Sequence, residues 1–187
     1  KKEWLVWMPG LVPALNAASR AFEEPGDAVM TCTPVYPPFL TAPAWQEKEL
    51  QAISLKREGD RYTFDFEAME AAVTERTRMF ILCNPHNPVG RAFSLEELGE
   101  LVAFCRRHGL ILVSDEIHCD LLLSTEVRHH TILQVDEWAW ENSLTLMAPS
   151  KTWNIPGLSC SFMIIPNSRL RQRMQAASRG MITELNC

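Results

Sequence analysis

The chain has 187 residues, 47% of them hydrophobic and 22% charged, with a formal net charge of −5. That length carries one sizeable core or two small ones, and the composition is that of a globular protein. The acidic balance offers no nucleic-acid footprint, the apolar runs fall well short of a membrane span, and the opening Lys1-Lys2-Glu3-Trp4 meets Pro9-Gly10 too early for a secretory signal.

Residues 4–8 are a strand-length apolar run closed by Pro9-Gly10, and residues 12–22 then carry apolar side chains at helical spacing, closed by Pro25-Gly26-Asp27. Residues 28–32 predict a second buried strand; Pro34, Pro37 and Pro38 predict a loop around Tyr36. Residues 49–55 predict a third strand, more alternating and so nearer an edge. Asp65 is a candidate cap for a short helix over 65–73, and 78–83 reads as the fourth strand. Ser94-Leu95-Glu96-Glu97 matches a capping box and opens a helix to about residue 107, closed by His108-Gly109. Residues 110–114 are an apolar fifth strand, expected to be buried on both faces. Residues 119–142 are the least regular and predict a surface excursion. Residues 144–147 and 160–165 predict the sixth and seventh strands, and 169–179 a basic amphipathic helix. Strands alternating with helices predict an α/β fold with a mostly parallel sheet.

Six cysteines are present, five of them (Cys32, Cys83, Cys105, Cys119 and Cys160) in or beside apolar patterns, and no pair has Cys-x-x-Cys spacing. They predict buried free thiols in a reducing cytoplasm. The chain opens without methionine and stops directly after a helical pattern, so a fragment of a longer protein is expected.

In sheets of this kind ligands bind beyond the carboxyl ends of the strands. Gly10, Tyr36, Asn87, Asp115 and Lys151 all fall at such ends. Lys151 follows a buried strand and sits between Ser150 and Thr152; a lysine amine, partly deprotonated, attacks a carbonyl and forms an imine. Asp115 serves equally as a helix-cap residue or as the partner of a protonated pyridine nitrogen, the charge that makes such a ring an electron sink. Asn87 lies in the rigid turn Asn84-Pro85-His86-Asn87-Pro88-Val89-Gly90, and Tyr36 is placed either to stack on a ring or to pack beneath the prolines. Gly10 precedes a helix, where backbone N–H groups receive a phosphate. His86 and the pair His129-His130 lack a carboxylate at helical spacing, which argues against a metal site.

Five segments carry a family likeness: Pro9-Gly10-Leu11-Val12-Pro13-Ala14; Thr33-Pro34-Val35-Tyr36-Pro37-Pro38-Phe39; Asn84 through Gly90; Ser114-Asp115-Glu116-Ile117-His118; and Ala148 through Leu158. In these the chain resembles the fold-type I pyridoxal-phosphate (PLP) enzymes of the class I/II aminotransferase superfamily. Within it, the chain is most similar to the cystathionine β-lyase-like (cysteine-S-conjugate β-lyase) branch. The resemblance runs nearly the whole length, in family order. It implies that residues 1–187 are a three-layer α/β/α, PLP-binding large domain with a seven-stranded, mostly parallel sheet, without the family's N-terminal segment and C-terminal small domain.

It also implies roles. Lys151 would hold the cofactor as an imine and Asp115 would pair with its ring nitrogen. Asn87 would bond the ring hydroxyl oxygen and Tyr36 would stack on the ring. The N–H groups of Leu11 and Val12 after Gly10, with the hydroxyl of Ser150 or Thr152, would hold the phosphate. Many aminotransferases carry tyrosine three residues after the aspartate; His118 stands here, as in the lyase-like branch. Ser159 replaces a frequent phosphate-binding arginine, and Ala148 a frequent serine. The implied activity is β-elimination from a sulfur-containing amino acid by a cytoplasmic homodimer, with no nucleic-acid, membrane or metal partner. The alternatives are an aminotransferase on the same scaffold and the PLP-sensing domain of a transcription regulator.

Overall fold

The computed structural model describes residues 1–22 and 24–182. In chain order its elements are β1 (Leu5–Met8), α1 (Leu11–Ala21), β2 (Ala28–Thr33), α2 (Pro38–Trp45), β3 (Glu49–Ser54), β4 (Lys56–Glu58), β5 (Arg61–Thr63), α3 (Phe66–Ala72), β6 (Thr77–Cys83), α4 (Leu95–His108), β7 (Ile111–Asp115), α5 (Glu137–Asn142), β8 (Ser143–Met147), β9 (Ser161–Ile164) and α6 (Ser168–Ser178). Seven strands form one sheet in the order β1-β9-β8-β7-β6-β2-β3. The run from β8 to β3 is parallel throughout; β9 is antiparallel to both of its neighbours, so β1 points the same way as β8. The α/β class, the seven strands and the mostly parallel sheet are as the sequence predicts.

Side chains alternate across a strand, and that period sorts the core into two layers. Met79, Ile81 and Cys83 of β6, Val113 of β7 and Leu144 and Leu146 of β8 face Leu15, Phe39 and Met174 from α1, α2 and α6. Phe80 and Leu82 of β6 and Leu112 of β7 face the other way, toward Met69, Leu98, Phe104 and Ala139 from α3, α4 and α5. Helices cover both faces, giving three layers.

Local signals act where expected. Asp65 Oδ1 accepts from Ala68 N–H and starts α3. Ser94 and Glu97 close a complete capping box on α4, and Gly109 ends that helix at φ 63°, the left-handed conformation that glycine adopts without strain. The half-alternating β3 is indeed the sheet edge.

Three expectations change. The loop expected around Tyr36 is present but shorter than its prolines suggest: residues 34–37 are irregular, while Pro38 already sits in the first turn of α2, where its missing N–H costs nothing. The helix expected over 12–22 begins one residue earlier, with Gly10 as its cap. Residues 119–131 are irregular, but the excursion closes on a short turn (Ile132–Gln134) and α5, whose Ile132 and Ala139 are fully buried. A β4–β5 hairpin, unforeseen, follows β3. Among the described residues five cysteines are free; three are buried, while Cys119 and Cys160 are half-buried.

Candidate active site

Because β1, β2, β6, β7 and β8 share one direction, their carboxyl ends lie along one edge of the sheet. There a cavity of about 300 Å3 opens. Its lining includes Gly10, Leu11, Val12, Tyr36, Asn87, Asp115, His118, Ser150 and Lys151, residues up to 141 positions apart in sequence (151 − 10). Of the candidates named from sequence, Thr152 alone is not among the lining residues. Ser159, which stands where an arginine is frequent, does line the cavity, as do the thiol-bearing residues Cys83 and Cys160.

Asp115 is the last residue of β7 and pairs in register with Cys83 of β6. It has the parity of Val113, and both it and Cys83 therefore face the α1–α2–α6 layer, where the cavity lies. Asp115 is 5% exposed, and its carboxylate accepts one hydrogen bond, from Ile117 N–H at 3.0 Å. Burial, with a smaller push from the neighbouring Glu116, raises its carboxyl to about 7 against the Ile117 bond and the Lys151 charge, which pull it down. No cation among the described residues stands within ion-pairing distance. A buried acid facing a cavity without a cationic partner is a site built for an incoming positive group.

The turn bearing Asn87 is fastened on several sides. Asn87 O accepts from Tyr36 N–H at 3.1 Å, which joins this turn to the segment before α2. The Cys83 thiol accepts from Asn87 N–H at 3.4 Å and donates to Pro85 O at 3.5 Å. His86 Nε2 lies 2.8 Å from Pro34 O, and the main chain of Asn84 bonds Asp115 O at 2.9 Å. Burial pushes the Cys83 thiol up to about 12, with Asp115 adding to the effect, so it serves here as a neutral thiol.

His118 is held below the usual histidine range, first by burial and then by the Lys151 charge. Lys151 itself sits on an exposed turn after β8, where Trp153 N–H bonds Pro149 O at 3.0 Å and Ile155 N–H bonds Ser150 O at 3.0 Å. At the far side, Gly10 caps α1 with no side chain, and the N–H groups of Leu11 and Val12 keep no capping partner. A Cβ on Gly10 would touch only Pro13 Cδ, at an ordinary 3.5 Å. Packing inside the chain thus does not demand glycine here; the room it leaves is room at the mouth of a helix, where an anion binds.

One participant escaped the sequence reading. Glu116 is fully buried and accepts four hydrogen bonds on the opposite face from Asp115. The signal was available: adjacent strand residues point to opposite faces, so one of two acidic neighbours must turn inward.

A family model described as aminotransferase class I and II matches residues 1–186. The chain is 40% identical over 176 residues to cystathionine beta-lyase PatB of Bacillus subtilis, covering 94% of this chain and 45% of that protein. It superposes on the crystal structure of OvoB with a TM-score of 0.96 at 39% identity, covering 99% of this chain and 49% of that one. On cystalysin from Treponema denticola, whose structure contains a pyridoxal 5'-phosphate cofactor, the TM-score is 0.93 at 35% identity, covering 97% and 46%. The chain therefore spans about half the length of the proteins it matches.

Proposed function

Because this chain belongs to the aminotransferase class I and II family, we propose that it is the cofactor-binding large domain of a pyridoxal-phosphate-dependent carbon–sulfur β-lyase. The observation that carries this reading is the convergence of Lys151, the buried Asp115 and the uncapped start of α1 on one cavity. Each fits one part of the cofactor: an amine for its aldehyde, a carboxylate without a cation for its ring nitrogen, and free N–H groups for its phosphate. When bound, pyridoxal phosphate supplies an aldehyde that bonds a substrate amine and a ring that draws electrons from the α-carbon.

The residues of the chain then divide the work. Leu11 and Val12 would hold the phosphate through their N–H groups, assisted by the Ser150 hydroxyl; Thr152 lies off the cavity lining and is the weaker candidate for that role. Asp115 would pair with the ring nitrogen and hold its positive charge. Asn87, whose main chain bonds Tyr36 and Cys83, would donate to the ring oxygen, and Tyr36 would stack on the ring. Lys151 would anchor the cofactor through its aldehyde and, as a free amine, would take the substrate's α-proton. The net reaction would be β-elimination: the α-proton and the β-thiolate leave the substrate together as a thiol, and the remaining three-carbon unit takes up water to give pyruvate and ammonia. His118, kept neutral, adds no second positive charge beside Lys151.

The substrate is accordingly a small sulfur-containing amino acid. The proposal extends to a homodimer and to a cytoplasmic location, the latter in keeping with the free cysteines among the described residues. Among the described residues no helix is long and apolar enough to cross a membrane. Two measurements test the reading on the complete enzyme. Lys151→Ala should abolish the visible absorbance band of the bound cofactor; an unchanged band rejects the assignment. Cystathionine should yield pyruvate and thiol with no keto-acid acceptor; a requirement for the acceptor would make the protein an aminotransferase instead.

A further inference from the structure

His129, one of the histidines that lack metal-site spacing, and the buried glutamate that the chemistry above does not use meet behind the cavity. Glu116 Oε1 accepts from the Ser114 hydroxyl (2.9 Å), the Thr131 hydroxyl (3.1 Å) and Ile132 N–H (2.9 Å), while Oε2 lies 2.9 Å from His129 Nε2. His129 Nδ1 is buried without a partner. A lone pair left unpaired there costs less than a proton would, so Nε2 carries the ring hydrogen and donates it to Glu116. The next residue along is anchored separately: Asn84 Nδ2 donates to His130 O at 3.1 Å, and Asn84 Oδ1 accepts from Phe93 N–H at 3.0 Å.

We propose that Glu116 and His129 are a positioning pair that holds the turn of residues 115–118, and with it Asp115 and His118, in place at the cofactor ring. The inference deepens the cofactor reading above and rests on it. Three observations support it. Glu116 is joined to Asp115 by one peptide bond and points to the opposite face, so a tilt of one carboxylate tilts the other. The main chain of that turn is held by single bonds (Asn84 N–H to Asp115 O, Glu116 N–H to Leu146 O, Ile117 N–H to Asp115 itself, Cys119 N–H to Glu116 O and Leu121 N–H to His118 O), whereas the Glu116 carboxylate alone gathers four. Finally, residues 119–131 belong to no helix or strand, and Leu123 is wholly exposed. The excursion that leaves the site at His118 is therefore fastened on its return by the side chains of Glu116 and Asn84, from the ends of the two strands that carry the site. A buried carboxylate that loses a donor bears the full cost of desolvation, so the arrangement resists loosening.

The test uses the complete enzyme reconstituted with pyridoxal phosphate. Cofactor affinity is read by absorbance titration, and cofactor orientation by visible circular dichroism per mole bound. His129→Ala should weaken binding about tenfold and diminish the dichroic signal, and His129→Gln, which keeps a donor, should restore affinity to within about twofold of wild type. A His129→Ala protein with wild-type affinity and dichroism, and only a lower melting temperature, would make the pair structural and overturn the inference. Should His129→Ala not fold, Thr131→Val removes one donor to the same carboxylate; a loss of about threefold with altered dichroism supports the pair, and unchanged values overturn it. A wild-type enzyme without any cofactor band would refute the cofactor reading itself, a result distinct from the variant outcomes.

Discussion

Asp115 shows how one residue's environment constrains what it can do. Burial is the largest cause of its upward shift to about 7. In enzyme stripped of cofactor, the folded state therefore holds this proton more tightly than the unfolded chain does, whose aspartate titrates near 4. Stability from this group is full below about pH 4 and is lost as pH rises to about 7. Asp115→Asn removes the dependence. Thermal melts should show the variant more stable than wild type at pH 8 and equal to it near pH 4; parallel curves would contradict the assignment. A cationic ring nitrogen reverses the balance, so in reconstituted enzyme the same substitution should release cofactor. Lys151 illustrates the opposite limit. As a lone lysine after a strand it says little; its meaning comes from Asp115, Asn87 and the start of α1 standing around one cavity.

At the level of elements, the termini decide more than the interiors. Ser94 and Glu97 start α4 on the face away from the cavity, and Glu97 Oε2 also receives Arg61 and Arg91. Ser94→Ala should lower stability by about 1 kcal/mol in denaturant titration and leave cofactor affinity unchanged, because α4 packs against Phe80 and Leu112 and not against the site. These caps were legible in advance, since a capping box, a left-handed glycine and an aspartate before a helix are local chemistry. α2 was not. Pro34, Pro37 and Pro38 read as a loop, yet Pro38 opens the helix, where one is tolerated, and Phe39, Ala42 and Pro43 bury one side of it. Burial against α1, which lies distant in sequence, outweighed the local signal.

For the molecule as a whole, the sheet separates a layer that bounds the site from a layer that supports it. Phe80 faces the α3–α4–α5 side and Leu146 the α1–α2–α6 side, both fully buried. Phe80→Ala should cost about 3–5 kcal/mol and Leu146→Ala about 2–5 kcal/mol. Only the second, one strand residue before the turn to Lys151, should also weaken cofactor binding when both are measured well below their melting temperatures. Equal loss of affinity in the two variants would show that the layers are coupled.

Much of this organisation is written locally. Apolar runs, period-two alternation and turn residues placed the seven strands of the main sheet and put Gly10, Tyr36, Asn87, Asp115 and Lys151 at their ends, because strand length and side-chain alternation depend only on neighbouring residues. The order β1-β9-β8-β7-β6-β2-β3 was decided elsewhere. It rests on hydrogen bonds between segments remote in sequence, such as Ser161 Oγ to Met8 O across 153 positions. The same holds for the turn at Glu116, which exchanges hydrogen bonds with residues 13 to 16 positions away. Strand ends are a local property, and their gathering around one cavity is a property of the sheet.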